Sequence, residues 1–329
     1  MVPELDHESQ SLAEEAADEL ARLDLTCTHK PTSASLSLWL LALTELTALT
    51  EHSRSVLLSL VAAEGDALHD AALQVPALRW RTVLAEAERR SRGGAPISSS
   101  RFSEVVPSLA TYRNRARLEA IWRESGRGRP VLLRALDSAA WFPNATDRED
   151  EGSAIPDREN PAAREEVSRF AGDASAALLL CAGGRTDRVR ALPFVTVPAV
   201  VRADAIEAWR GGEVEPWARA GLSAFAHRAR HLREAVRALI EGVDHESESV
   251  ASMGRAGISA GRALTVARRR FVMTMPSLAD ELELSRPAAT AALDRLVEAG
   301  LLREVTGRAR DRVYAYTAAL AIAEGALPS

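Results

Sequence analysis

Apolar residues recur at three- and four-residue steps along most of this chain, the spacing that gives a helix one inward stripe. Residues 8 to 24 predict such a helix, with Leu12, Ala16, Leu20 and Leu23 inward, and Pro31 to Ser35 breaks it. The pattern resumes from Leu36 to about Ala72, interrupted near Glu64-Gly65, and again over Ala77 to Arg90 and Ser103 to Arg123. Pro143 to Pro161 has no period and is rich in Asp, Glu, Pro and Asn, so a linker or exposed loop is expected. Helices return at Ala162 to Cys181, Val201 to Arg210 and Pro216 to Glu241, the last with Trp217, Leu222, Phe225, Leu232, Val236 and Leu239 on one side. Asp244 to Gly257 reads as a second linker, and Ile258 to Met273 as the first helix of a final unit. The expected organisation is a helical region at 1–142, an acidic linker at 143–161, a helical region at 162–243, a linker at 244–257 and a C-terminal domain at 258–329.

The stretch from Met275 to Tyr316 is the most definite. Ser277 is a candidate cap for a short helix with Leu278 and Leu282 inward. Glu283-Leu284-Ser285 suits a tight turn that ends in a second cap. Pro287 is tolerated in a first helical turn, where its missing N–H costs little. Ala289, Ala292, Leu293, Leu296 and Val297 then form one apolar stripe, with Arg286, Thr290, Asp294 and Arg295 on the opposite face. Gly300 stands where a helix end favours positive φ, and two apolar segments, Leu301 to Val305 and Val313 to Tyr316, bracket a tip that carries Arg308, Arg310 and Arg312. Two helices, a turn and an arginine-bearing hairpin in this order predict a winged helix-turn-helix. In such a unit a recognition helix offers its first residues to base edges while neighbouring basic groups neutralise phosphate.

Composition fits a mainly helical chain, because 47% of residues are hydrophobic but only 5% aromatic. The formal charge of −5 argues against a protein coated in nucleic acid, yet it is uneven. Residues 251 to 312 hold eleven arginines against seven acids, a net +4 that leaves −9 for the rest. A basic reading head on an acidic body has this asymmetry. No apolar run reaches the roughly 18 residues that span a bilayer, and the acidic, polar start is no signal peptide, so no membrane partner is expected. Cys27 and Cys181, far apart and in no metal spacing, suit small buried residues in a reducing cytoplasm.

The remaining clusters read as structural. Arg113, Arg115 and Arg117 suit a solvated helix face, and Asp147, Glu149, Asp150 and Glu151 a solvent-facing loop. His227 and His231 lie four apart on one helix but have no third ligand at a recognisable spacing. Ala182 to Thr186 is Gly-rich without the P-loop pattern, and neither GxSxG nor HExxH occurs. No cofactor and no metal are expected.

Three stretches resemble the Fic family, whose enzymes transfer AMP or related groups to hydroxyl side chains and whose long bacterial members often end in a winged helix. Gly211 to Trp217 with the following helix is similar to the segment after that family's catalytic core. Ser285-Arg286-Pro287 through Glu298 to Leu302, with Glu304 to Arg308 and Arg312-Val313-Tyr314, resembles its terminal DNA-binding module. Leu60 to Leu68 resembles its inhibitory helix, [S/T]xxxE[G/N], with Leu60 at the Ser/Thr position. The family's active-site signature HPFx[D/E]GNGR is absent. Leu192-Pro193-Phe194 has leucine where the proton-abstracting histidine belongs, and Gly172 to Ser175 has neither that histidine nor a phosphate-holding arginine.

The expectation is therefore a mainly α bacterial cytoplasmic protein: a multi-helix, Fic-like, non-catalytic body followed by a winged helix-turn-helix with a small hairpin wing. It regulates transcription as a homodimer on double-stranded DNA. Its DNA-binding residues are Ser285, Arg286, Pro287, Thr290, Asp294, Arg295, Arg308, Arg310 and Arg312. A divergent Fic-type nucleotidyltransferase and a protein-interaction module are the alternatives.

Overall fold

The computed structural model describes residues 5–28, 130–141, 172, 173, 175–177, 179–181, 197 and 199–323. The helices expected at 36–72, 77–90 and 103–123, the acidic stretch 143–161, the Gly-rich 182–186, the inhibitory-helix likeness at 60–68 and Leu192 to Phe194 lie outside them. What is described is mainly helical, with one three-stranded antiparallel sheet near the C-terminus.

Two compact units divide these residues, with the boundary at His231 and Leu232 inside one long helix. The first unit contains α1 (His7–Thr28), α2 (Val131–Trp141), helical residues at 172, 173, 175–177 and 179–181, α3 (Ala199–Gly211) and the first half of α4 (Glu215–Ala251). Asp6 caps α1, its carboxylate accepting from the Ser9 amide at 2.8 Å, and that hydrogen bond is the main reason its pKa falls to about 2. Ala16, Leu20, Leu23 and Cys27 are buried, while Leu12, expected inward, is half-buried. Arginines of α4 run alongside: Arg219 pairs with Asp6 and Glu8, and Arg230 with Glu15 and Glu19. These pairs are largely exposed and contribute little. Apolar burial is what holds α1.

The sequence pattern did not single out α2. Leu132, Leu133, Ala135, Leu136, Ala139 and Ala140 are all buried, so the helix is apolar around most of its circumference and offers no stripe to read. It lies tight against α4. The Trp217 indole donates to the Leu136 carbonyl at 3.0 Å, and a Cβ at Gly221 would stand 2.2 Å from Leu136 Cδ2. The turn at Gly211 and Gly212, with φ of 99° at Gly212, leads into α4.

In the second unit α4 continues through the segment expected to be a linker. Residues 244–251 stay helical, and a 3₁₀ turn, Gly254–Ala256, joins them to α5 (Gly257–Arg270). The polar composition of this segment suggested a linker, but Glu246 and Val250 are buried and tertiary contacts override it. The expected helix to Met273 ends three residues early, because Phe271 turns left-handed at φ 60° and Val272–Thr274 form β1. Burial of the Phe271 ring against Tyr316, with centroids 6.3 Å apart, and the 2.7 Å hydrogen bond from the Tyr316 amide to the Phe271 carbonyl offset that strain.

There follow α6 (Met275–Leu282), α7 (Arg286–Glu298), β2 (Leu302–Glu304), β3 (Val313–Tyr316) and α8 (Thr317–Ala323). The sheet order is β1-β3-β2, with Met273 opposite Tyr314 and Arg303 opposite Ala315. The end of α4 is clamped to this sheet by one carboxylate. Glu246 accepts from the Tyr316 hydroxyl at 2.6 Å and from Arg268 Nε and Nη2 at 2.9 and 2.7 Å, while Arg268 also reaches the Val243 carbonyl. Burial and the carboxylate beside it raise the Tyr316 pKa well above the usual range.

Tyr316→Phe deletes a hydrogen bond to a buried ionised group and is expected to lower the unfolding free energy by about 1.5–3 kcal/mol. Urea unfolding reads this as a lower midpoint at unchanged slope. Gly257→Ala is expected to destabilise as well, because its Cβ would lie 2.3 Å from the Val250 carbonyl oxygen. The backbone clash, about 1–3 kcal/mol, exceeds the gain in helix propensity of at most about 1 kcal/mol.

Candidate nucleic-acid interface

The short helix α6 starts earlier than its sequence suggested. Its cap is Thr274, not Ser277: the Thr274 hydroxyl accepts from the Ser277 amide at 3.3 Å and the Ser277 hydroxyl accepts from the Thr274 amide at 3.1 Å. Ser277 is the third residue of the reciprocal box, and Pro276 occupies the first turn, where proline fits. Glu283 closes α6 in a left-handed conformation at φ 54°, and the Leu284 amide reaches back to the Ala279 carbonyl at 2.9 Å. Two residues later the Ser285 hydroxyl caps α7, accepting from the Ala288 amide at 3.4 Å, as its position in the sequence predicts.

Along α7 the buried stripe is Ala289, Ala292, Leu293 and Leu296, which packs against α5 and α6. Val297, expected in that stripe, is 36% exposed, because it stands at its edge near the end of the helix. Ser285, Arg286 and Pro287 are exposed around the first turn, and Thr290 and Asp294 are exposed farther along. Arg286, Thr290 and Asp294 follow at four-residue steps, a single line rising about 6 Å per step. Arg295 is half-buried and folds back to donate to the Ala291 carbonyl at 3.3 Å. Gly300, at φ 72°, ends the helix, and the Leu301 amide satisfies the Leu296 carbonyl at 2.9 Å.

The hairpin tip between β2 and β3 is built on Glu304. Its carboxylate accepts from the Thr306 amide at 2.7 Å, the Thr306 hydroxyl, and the Gly307 amide at 3.0 and 3.1 Å. Gly307 and Asp311 are left-handed, at φ 63° and 54°, and fold the tip back. Arg308, Arg310 and Arg312 are exposed on it, with Arg312 Nε donating to the Arg308 carbonyl at 3.1 Å. Arg303 on β2 is exposed too. The sequence reading counted it for charge alone, although the alternation of buried Leu302, exposed Arg303 and half-buried Glu304 is the signal that points it outward.

Arginines of the second unit divide by partner. Arg268 is held by Glu246, and Arg269 and Arg270 pair with Glu281. Arg262 is exposed and donates to the Leu282 carbonyl at the end of α6. Among the described residues, Arg286, Arg308, Arg310 and Arg312 have no acidic partner. Their guanidinium groups stand in solvent with their donors available to an anion.

Elsewhere, two pairs of polar groups in the first unit are engaged internally. Asp173 is buried and accepts from Arg202 at 2.8 Å, and the hydroxyls of Ser175 and Ser138 bond to each other. His227 is exposed and His231 half-buried on α4; Cys27 is buried, whereas Cys181, expected to be buried, is half-buried. Among the described residues no group of three His, Cys, Asp or Glu has metal-site geometry, and no helix is long and apolar enough to cross a membrane.

Glu304→Ala removes the acceptor that gathers the tip amides. Amide hydrogen exchange at Thr306 and Gly307 is expected to accelerate at least tenfold, while the amides of α5 and α7 keep their protection.

A comparison of the chain with protein families finds no matching family model, and none of the curated proteins matches its sequence.

Proposed function

We propose that residues 257–316 form a winged helix-turn-helix that binds double-stranded DNA, and that the protein is a transcriptional regulator acting in the bacterial cytoplasm. The observation that carries this reading is the separation of the arginines. Those at the end of α5 are neutralised by Glu246 and Glu281, whereas among the described residues Arg286 at the start of α7 and Arg308, Arg310 and Arg312 on the hairpin tip form no ion pair. An exposed arginine at the first turn of a capped helix suits a bidentate contact to guanine in the major groove. The hairpin arginines suit phosphates, or the minor groove alongside. The Arg286 amide and the Ser285 hydroxyl hydrogen add phosphate donors at the start of α7, the Ala288 amide being taken by the Ser285 cap. Winged helices commonly read paired half-sites, so a homodimer is part of the proposal.

The helical body belongs to the same reading as a Fic-like scaffold without transferase chemistry. Supporting it are the Gly212 turn into the Trp217-bearing helix and the internal engagement of the polar residues in the one described fragment that resembles the missing signature. Asp173 is bound to Arg202 and Ser175 to Ser138, all four buried. A carboxylate held in this way is not available to a metal, and among the described residues no group of three His, Cys, Asp or Glu could hold one.

Selection from a random double-stranded DNA library at moderate salt tests the proposal. A palindromic consensus is expected, and retention of no DNA at low salt refutes it. On the selected site, Arg286→Ala is expected to cost about 1–3 kcal/mol and relax preference at one base pair, whereas Arg310→Ala weakens all sequences alike and lowers the salt slope by about one. Gel shifts at two salt concentrations distinguish the two behaviours.

A further inference from the structure

The helix α4 is buried along most of its length, with a narrow solvent stripe at Ser223, His227, Glu234, Arg237 and Glu241. On the opposite side Trp217, Gly221, Arg228, Leu232, Ala235 and Leu239 follow at helical spacing, and all are buried. An apolar side chain at the Arg228 position would continue the stripe at lower cost than a charge. Arg228 is 4% exposed, and its Nε and Nη2 atoms make no hydrogen bond.

These two atoms are the side edge of the guanidinium, whose two N–H bonds point the same way and match the oxygens of one carboxylate or phosphate. The same edge of Arg268 shows what it does when matched: Nε and Nη2 both donate to Glu246, at 2.9 and 2.7 Å. On that edge, among the described residues, Arg268 has an acid and Arg228 has none. Desolvation without a compensating charge lowers the Arg228 pKa to about 10. Burying such a group unmatched costs several kcal/mol, a cost that a bound counter-anion removes.

We propose that Arg228 anchors a binding site in the first unit for a small oxyanion, a carboxylate or a phosphate group held side-on by Nε and Nη2. The site belongs to the first unit, on α4 before His231, whereas the arginines proposed to contact DNA, at 286 and beyond, belong to the second. It supplies the proposed regulator with a place for an anionic effector, and its existence does not depend on DNA binding.

The test is thermal unfolding and titration calorimetry of the full chain with inorganic phosphate and with acetate, each against sodium chloride at equal ionic strength. A saturable rise in midpoint above the chloride reference is expected with at least one anion. A rise with phosphate alone assigns a phosphate ligand, and a rise with acetate a carboxylate; either supports the site. Arg228→Met is expected to abolish the rise, and Arg228→Lys, which keeps the charge but loses the two-donor edge, to weaken binding about tenfold. Absence of any rise beyond chloride, or a rise that persists in Arg228→Met, overturns the proposal. Should Arg228→Met fail to fold, the lysine variant decides: unchanged anion affinity there overturns it too. Electrophoretic mobility shifts of Arg228→Lys on DNA are expected to match the wild type, which separates this site from the arginines of the hairpin.

Discussion

A single buried carboxylate organises the C-terminal unit. Glu246 reaches from the last turns of α4 to the Tyr316 hydroxyl on β3 and to Arg268 on α5, so three elements distant in sequence meet on its two oxygens. A buried ion pair of this kind is no strong source of stability, because desolvation offsets much of the Coulomb attraction. Its value is in specificity: the charge is tolerable only when both donors are present, which fixes the register of α4 against the sheet. The same bond settles a question of charge. Arg268, Arg269 and Arg270 form the densest basic run in the chain, and a reading from charge alone would direct it at phosphate. With Glu246 and Glu281 engaging all three, the basic surface moves to α7 and the hairpin tip.

Local signals made α6, α7 and the hairpin legible. Ser285, Pro287, the stripe from Ala289 to Leu296, Gly300 and the two strands are all fixed within a few residues of where they act, and each falls at its expected place or one residue away. Thr274 and Ser277 show the limit of that information. Each can cap, and only the reciprocal bonds reveal which is first. β1 was illegible for a different reason. Val272 to Thr274 continue the apolar pattern of α5, and what makes them a strand is pairing with β3 about forty residues on, together with a left-handed Phe271 that no propensity would put there. The acid-rich end of α4 likewise resembled a linker because its helicity rests on Glu246, and a partner seventy residues away leaves no trace in the local pattern.

Buried arginine is the other thing the sequence conceals. Arg219, Arg228, Arg230 and Arg233 all belong to α4. In the fold Arg219 and Arg230 pair with acids of α1 at the surface, and Arg228 lies on the far side of the same helix among Trp217, Leu232 and Ala235. A helical period assigns Arg228 to the apolar side as soon as the solvent stripe is known, but the stripe itself is narrow because α4 is enclosed on most sides. Four arginines within fifteen residues therefore serve different ends, and their spacing along the helix, not their composition, separates them.

The direction of charge along α7 decides how such a helix can approach DNA. Its exposed line runs Arg286, Thr290, Asp294, Glu298, from positive through neutral to negative at four-residue steps. A carboxylate brought near the phosphate backbone meets like charge in a region of dense negative potential, while a guanidinium there releases counterions and gains affinity. In the proposed complex only an approach led by the first turn of α7 satisfies both ends: it would bring Arg286 toward the duplex and keep Glu298 away from the strands. Asp294 then stands at the limit of reach, where a carboxylate is useful only as an acceptor for a cytosine amino group. In the proposed complex the exposed arginines of the hairpin tip would supply the positive charge that the second half of the helix withholds.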